Sequence, residues 1–284
     1  MAGFRSVGAF ADAFEEGRVH TCSIRKVPSQ ASSANWWIDL SMASGNPKPQ
    51  YFFATPFTAQ VLDGYDGIFH GADKAPASMH LASLGLMTPT AAMVGRYTLL
   101  DYLLYYTGID GDDTAPQVLG NSTTLSRYVD GAGVQVMAVL IAPSTGGGVF
   151  TFDYVNQDGV TQTSPAQVCG LAAASVATLA TPQPAIAATP GGPFLKLAPG
   201  DTGVRQVNSI TFSVVNGGLL AIVLVKPLAD LAIREINTAA EFAGVRNRPL
   251  PKIEDGAYLN MICAPAGSVA AGLLSGYATF VWST

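Results

Sequence analysis

Three times the chain repeats one short phrase, in which a turn pair leads into an apolar run that stops at a proline. The phrase runs from Asp130-Gly131 to Pro143 through Val139-Leu140-Ile141, from Asn216-Gly217 to Pro227 through Val223-Leu224-Val225, and from Asp255-Gly256 to Pro265 through Met261-Ile262-Cys263. An Asx-Gly pair supplies the φ > 0 conformations that reverse a chain, and proline cannot donate the next ladder hydrogen bond. Each phrase therefore reads as turn, core strand, stop. Repeated through a chain of 284 residues, it constrains the fold to an all-β sandwich with a core large enough to need neither metal nor disulfide.

Further strands follow from alternation and composition at Val19 to Arg25, Trp36 to Ser41, His80 to Met87, Arg96 to Tyr106, Gly133 to Ala142 and Val149 to Val155. In the last of these Phe150, Phe152 and Tyr154 share one face. Gln167 to Thr178, Val204 to Val215, Leu219 to Val225, Tyr258 to Cys263 and Gly276 to Trp282 complete the set. Tyr97 to Tyr106 is apolar enough for a buried helix too, and its tyrosines and the Asp/Gly loop that follows favour a strand. Ser6 to Glu16 reads as a short amphipathic helix capped by Ser6 and stopped by Gly17. The expected architecture is a jelly-roll-like β-sandwich over 61–284, preceded by an extended N-terminal arm over 1–60 that carries the helix and an aromatic-rich segment.

Charged residues make up 12% of the chain, about half the usual share of roughly 25%. Such a surface points to partners, because a lone soluble subunit keeps clear of its neighbours by mixed charge. From Tyr97 to Leu195 seven aspartates face one basic residue, Arg127, a local net of −6, which argues against nucleic acid as a partner. Between Asp158 and Lys196 no residue is charged, and Pro182, Pro184, Pro190 and Pro193 punctuate the stretch. It reads either as a loop packed along a neighbouring subunit or as an ordinary surface loop. No apolar run is long enough to span a bilayer, so no membrane partner is expected. Cys22, Cys169 and Cys263 are too few and too scattered for a disulfide framework and read as reduced, buried thiols.

Chemistry is hard to find. His20, His70 and His80 stand at no metal-binding spacing, no nucleophile elbow occurs, and the glycine-rich turns lack the Lys-Ser/Thr of a phosphate cradle. Asp110-Gly111-Asp112-Asp113-Thr114 has the oxygen density of a calcium loop without the twelfth-position glutamate of an EF-hand, and reads as an acidic turn. No catalytic residue, cofactor or metal is expected. Trp36, Trp37, Tyr51, Phe52, Phe53 and Phe57 are concentrated in one segment and can serve as core, as a subunit interface or as a ligand platform. The candidate interface comprises these six together with Pro182, Pro184, Pro190 and Pro193.

Several phrases resemble those of virion structural proteins of tailed bacteriophages: Trp37-Ile38-Asp39-Leu40-Ser41 leading to Gly45-Asn46-Pro47, Leu100-Asp101-Tyr102-Leu103, Ser126-Arg127-Tyr128-Val129-Asp130-Gly131, Val223-Leu224-Val225-Lys226-Pro227 and Ala257-Tyr258-Leu259-Asn260. The resemblance implies a non-enzymatic particle component made in the bacterial cytoplasm. Its size and jelly-roll character resemble a capsid decoration or cement protein on the capsid exterior. Its partners would be copies of itself, for example in a trimer, and the capsid subunits. A tail-fibre or carbohydrate-binding sandwich and the major coat protein are the alternative readings.

Overall fold

The computed structural model describes residues 3–4, 6–145, 147–169, 175–180, 192–244, 246 and 250–283. Its strands are β1 (Val19–Val27), β2 (Ile38–Asp39), β3 (Ser44–Asn46), β4 (Gln60–Val61), β5 (Met79–Met87), β6 (Gly95–Asp110), β7 (Gln117–Val118), β8 (Gln135–Leu140), β9 (Val149–Asn156), β10 (Thr161–Thr163), β11 (Gln167–Val168), β12 (Val204–Phe212), β13 (Leu219–Ile233), β14 (Ala240–Ala243), β15 (Lys252–Ile253), β16 (Leu259–Pro265) and β17 (Leu274–Trp282). Helix α1 (Val7–Glu15) begins where expected, with the Ser6 hydroxyl accepting from the Ala9 amide at 3.0 Å.

The strands form three sheets, and every named pairing is antiparallel. The central sheet runs β2-β16-β6-β13-β8, and β4 joins β6 beyond the end of β16. A second sheet runs β14-β5-β17-β1-β3, with β15 on β5, and a third runs β10-β9-β12-β7, with β11 on β9.

The length of β6 and β13 explains how three sheets make one sandwich. Near the start of β6, Tyr97 and Leu99 pack with Leu81, Leu84 and Phe280 of the second sheet. Farther along, Tyr106 and Ile109 pack with Phe150, Phe152 and Phe212 of the third. The second and third sheets thus lie against successive halves of one long sheet. Because side chains alternate along a strand, Leu100 and Tyr102 point to the reverse face. There they form a further core with Val223, Val225, Trp37, Phe52 and Leu62. The chain between β3 and β4 is irregular and lays Phe52 and Ala54 on that face. The all-β sandwich expected from the sequence is the fold observed, and the aromatic face of Phe150, Phe152 and Tyr154 is buried in it.

Several local expectations are corrected. Glycine takes φ near +70° at Gly131, Gly217 and Gly256, as the turn reading requires. Pro265 ends β16 and Pro143 follows β8, but Pro227 does not stop its strand, since β13 continues to Ile233. Pairing with β8 has ended at Val225, and the register to β6 shifts between Pro227 and Ala229. A proline is tolerated where a ladder is already interrupted. Of Trp36 to Ser41 only Ile38–Asp39 is strand, followed by a 3-10 turn over Leu40–Met42. Of Gln167 to Thr178 only Gln167–Val168 is strand, while 170–174 lie outside the described residues. Residues 1–60, expected as an arm, contribute β1, β2 and β3. β1 pairs along its length with β17, which places the C-terminal strand between β1 and β5.

Candidate functional site

The aromatic segment divides into an inner and an outer set. Trp37 and Phe52 are buried in the reverse-face core, where the Phe52 ring lies parallel to Tyr102 at 6.2 Å and edge-on to Tyr105 at 5.5 Å. The Thr107 hydroxyl fixes that position by donating to the Phe52 carbonyl at 2.6 Å. Both residues therefore leave the set of contact candidates, and Trp36, half-buried, packs against the third-sheet core. Tyr51, Phe53 and Phe57 face outward, 62, 53 and 57% exposed. Phe53 and Phe57 meet edge to face at 5.8 Å, and Phe57 rests on Gly108. At Gly108 the backbone is left-handed, φ +73°, and a Cβ would meet the Phe57 ring at 2.9 Å, so only glycine serves.

Of the proline set, Pro193 is half-buried, and Pro182, Pro184 and Pro190 lie outside the described residues. The structure therefore brings Phe53 and Phe57 together and leaves Tyr51 exposed on the same segment.

The segment is fastened from beneath by two buried charges. Lys26 on β1 is fully buried, and its ammonium donates to the Ala43 carbonyl at 3.2 Å and the Pro47 carbonyl at 2.8 Å, on either side of β3. Asp39 is 1% exposed, and its Oδ1 accepts from the Ser41 amide at 2.7 Å and the Tyr102 hydroxyl at 2.8 Å. Burial lowers the Lys26 ammonium to about 8, against the attraction of Asp39, and raises the Asp39 carboxyl to about 6. Deeper in the molecule, Arg127 pairs with Asp101 and also donates to the Leu62 and Tyr102 carbonyls. Sequence reading missed these groups as a set. A signal existed in the lone Asp101 inside an apolar run and in Arg127 as the single basic residue between 97 and 195.

The acidic loop is built as a turn. The carboxylates of Asp110, Asp112 and Asp113 accept from the amides of Asp112, Gly217 and Ala115 at 2.9, 3.1 and 2.8 Å. Among the described residues no three His, Cys, Asp or Glu side chains lie together so as to hold a metal ion. His70 is buried, with Nε2 3.0 Å from the Ala257 carbonyl, and burial lowers its pKa. His80 lies beneath Phe4, and His20 stands edge-on to Phe69. Cys22, Cys169 and Cys263 are free thiols, which burial pushes up. Among the described residues no helix is long and apolar enough to cross a membrane.

No family model matches the chain, and no curated protein does. Two solved structures align over most of it at 10% identity. One is of infectious bursal disease virus, Gt strain, covering 93% of this chain and 81% of that chain with a TM-score of 0.19. The other is the VP2 subviral particle of infectious bursal disease virus, covering 92% and 80% with a TM-score of 0.17. Likenesses of that size carry no argument about fold or function.

Proposed function

We propose that the chain is a non-enzymatic structural subunit of a virus particle, specifically a decoration or cement protein of a tailed-bacteriophage head. It would act as a homo-oligomer, for example a trimer, on the capsid exterior. The observation that carries this reading is the outward set Tyr51, Phe53 and Phe57, held on a sandwich with a core on each face of its long sheet. Exposed aromatics on a charge-poor surface favour protein contact, since aromatic anchors supply most of an interface's energy. The turn-and-strand phrases that resemble phage virion proteins supply the particle context. The mechanism is mechanical: contacts made only in the assembled state stabilise that state by mass action.

The test is co-sedimentation of purified protein with tailed-phage heads that lack it. Wild type should pellet with the heads, and the triple variant Y51S/F53S/F57S should stay in solution with its circular dichroism unchanged. Equal pelleting of both would remove the aromatic set from the interface.

A second reading, a carbohydrate- or receptor-binding sandwich, is favoured by Tyr65 and Phe69. Each is 45% exposed, and their rings meet edge to face at 5.7 Å beside His20. Binding on a glycan array that is lost in Y65S/F69S would establish it in place of the first.

A further inference from the structure

The buried charges beneath the aromatic segment have a geometry that serves more than packing. Lys26 and Asp39 have opposite charge and feel one another electrostatically, yet they form no ion pair. Lys26 is spent instead on the carbonyls of Ala43 and Pro47 in the overlying chain, while Asp39, within that chain, accepts from the Ser41 amide and from the Tyr102 hydroxyl of β6. The Gln50 amide then donates to the Ser41 carbonyl at 2.9 Å, which ties the next stretch to the same point. Asp39 Oδ2 has no hydrogen-bond partner although it is buried. Asp39 also lines a cavity of about 80 Å³, together with Met42, Ala43, Tyr51, Val176 and Val269. That space exceeds the volume one water requires, and exposed Tyr51 shares its lining with Asp39.

We infer that Lys26 and Asp39 form a pH-operated clasp that holds residues 39–52 onto β1 and the central sheet, loosest near neutral pH and tighter on either side. The sign follows from where each charge prefers to be. Opening the segment returns both groups to water, where the ordinary values are 3.8 for the carboxyl and 10.5 for the ammonium, against about 6 and about 8 when closed. Acid protonates Asp39 more readily in the closed state, and base deprotonates Lys26 more readily there, so both favour closure. Between about 6 and 8 both are charged and both disfavour burial. Asp39 is faced by Lys26 from β1, Tyr102 from β6, Tyr258 just before β16 and Cys263 within it. Burial pushes the last three upward, out of the range in which the clasp works.

Hydrogen exchange at the Ser41 and Gln50 amides, corrected for intrinsic rate and with the Val223 amide as reporter of global unfolding, tests this. The opening constant of the segment should be about tenfold smaller at pH 5 and at pH 9 than at pH 7. D39N, which keeps an oxygen acceptor, should abolish the acid-side change alone, and K26M the alkaline-side change alone. A flat wild-type profile would overturn the clasp, as would an acid-side change that persists in D39N. If D39N does not fold, K26M decides the alkaline arm and the wild-type profile the acid arm. The inference does not depend on what the aromatic segment binds.

Discussion

Arg127 closes on Asp101 with two nitrogens, Nε at 3.0 Å and Nη2 at 2.8 Å, where the neighbour of β6 changes from β16 to β4. The guanidinium also donates to the carbonyls of Leu62 and Tyr102, and the Tyr258 amide donates to Asp101, so one ion pair closes a gap between strands. Removing one partner of such a pair leaves a buried charge uncompensated. R127A should cost about 3–5 kcal/mol in urea unfolding, and R127M/D101L should recover most of that loss. Equal losses in both variants would mean that shape, not charge, sets the requirement.

The two main cores share β6 and β13, so they should unfold as one. F152A empties the third-sheet core and F280A the second-sheet core, and each should cost about 3–5 kcal/mol. Calorimetry should show a single transition in both variants. Two separated transitions would show that the halves are independent.

Asp39 and Asp101 both have carboxyls raised to about 6, chiefly by burial. A group with a raised folded value adds stability that is complete below its unfolded value, near 3.8, and is lost as pH rises through 6. These two carboxyls therefore oppose ordinary acid destabilisation. The denaturant midpoint should hold or rise between pH 7 and pH 5, and D101N should reduce that rise.

How much of this was legible in the sequence varies with the physics behind each feature. Turn, strand and stop phrases marked β8, β13 and β16 because backbone chemistry is local. The burial of Phe150, Phe152 and Tyr154 followed from a period of two. Pro227 misled, because whether a proline ends a strand depends on whether a neighbour awaits its missing N–H, and that is set by the length of β8. Trp37 and Phe52 could not be told from Phe53 and Phe57 in an irregular segment, where no period says which side faces the sheet. Lys26 carries no local signal of its burial, because its carbonyl partners lie 17 and 21 residues away.

β17 pairs with β5 on one side and β1 on the other. Deleting 274–282 should therefore separate those strands and give insoluble protein, whereas substitutions at exposed Val118 should change stability by less than about 0.5 kcal/mol. A soluble, folded deletion product would show that β1 and β5 can pair without it.

The decisive measurement is the disruption temperature of tailed-phage heads with and without the bound protein. Heads carrying wild type should break at a higher temperature than bare heads, and heads exposed to Y51S/F53S/F57S should break with the bare ones. An identical disruption temperature with and without bound wild type would contradict the proposed stabilising role.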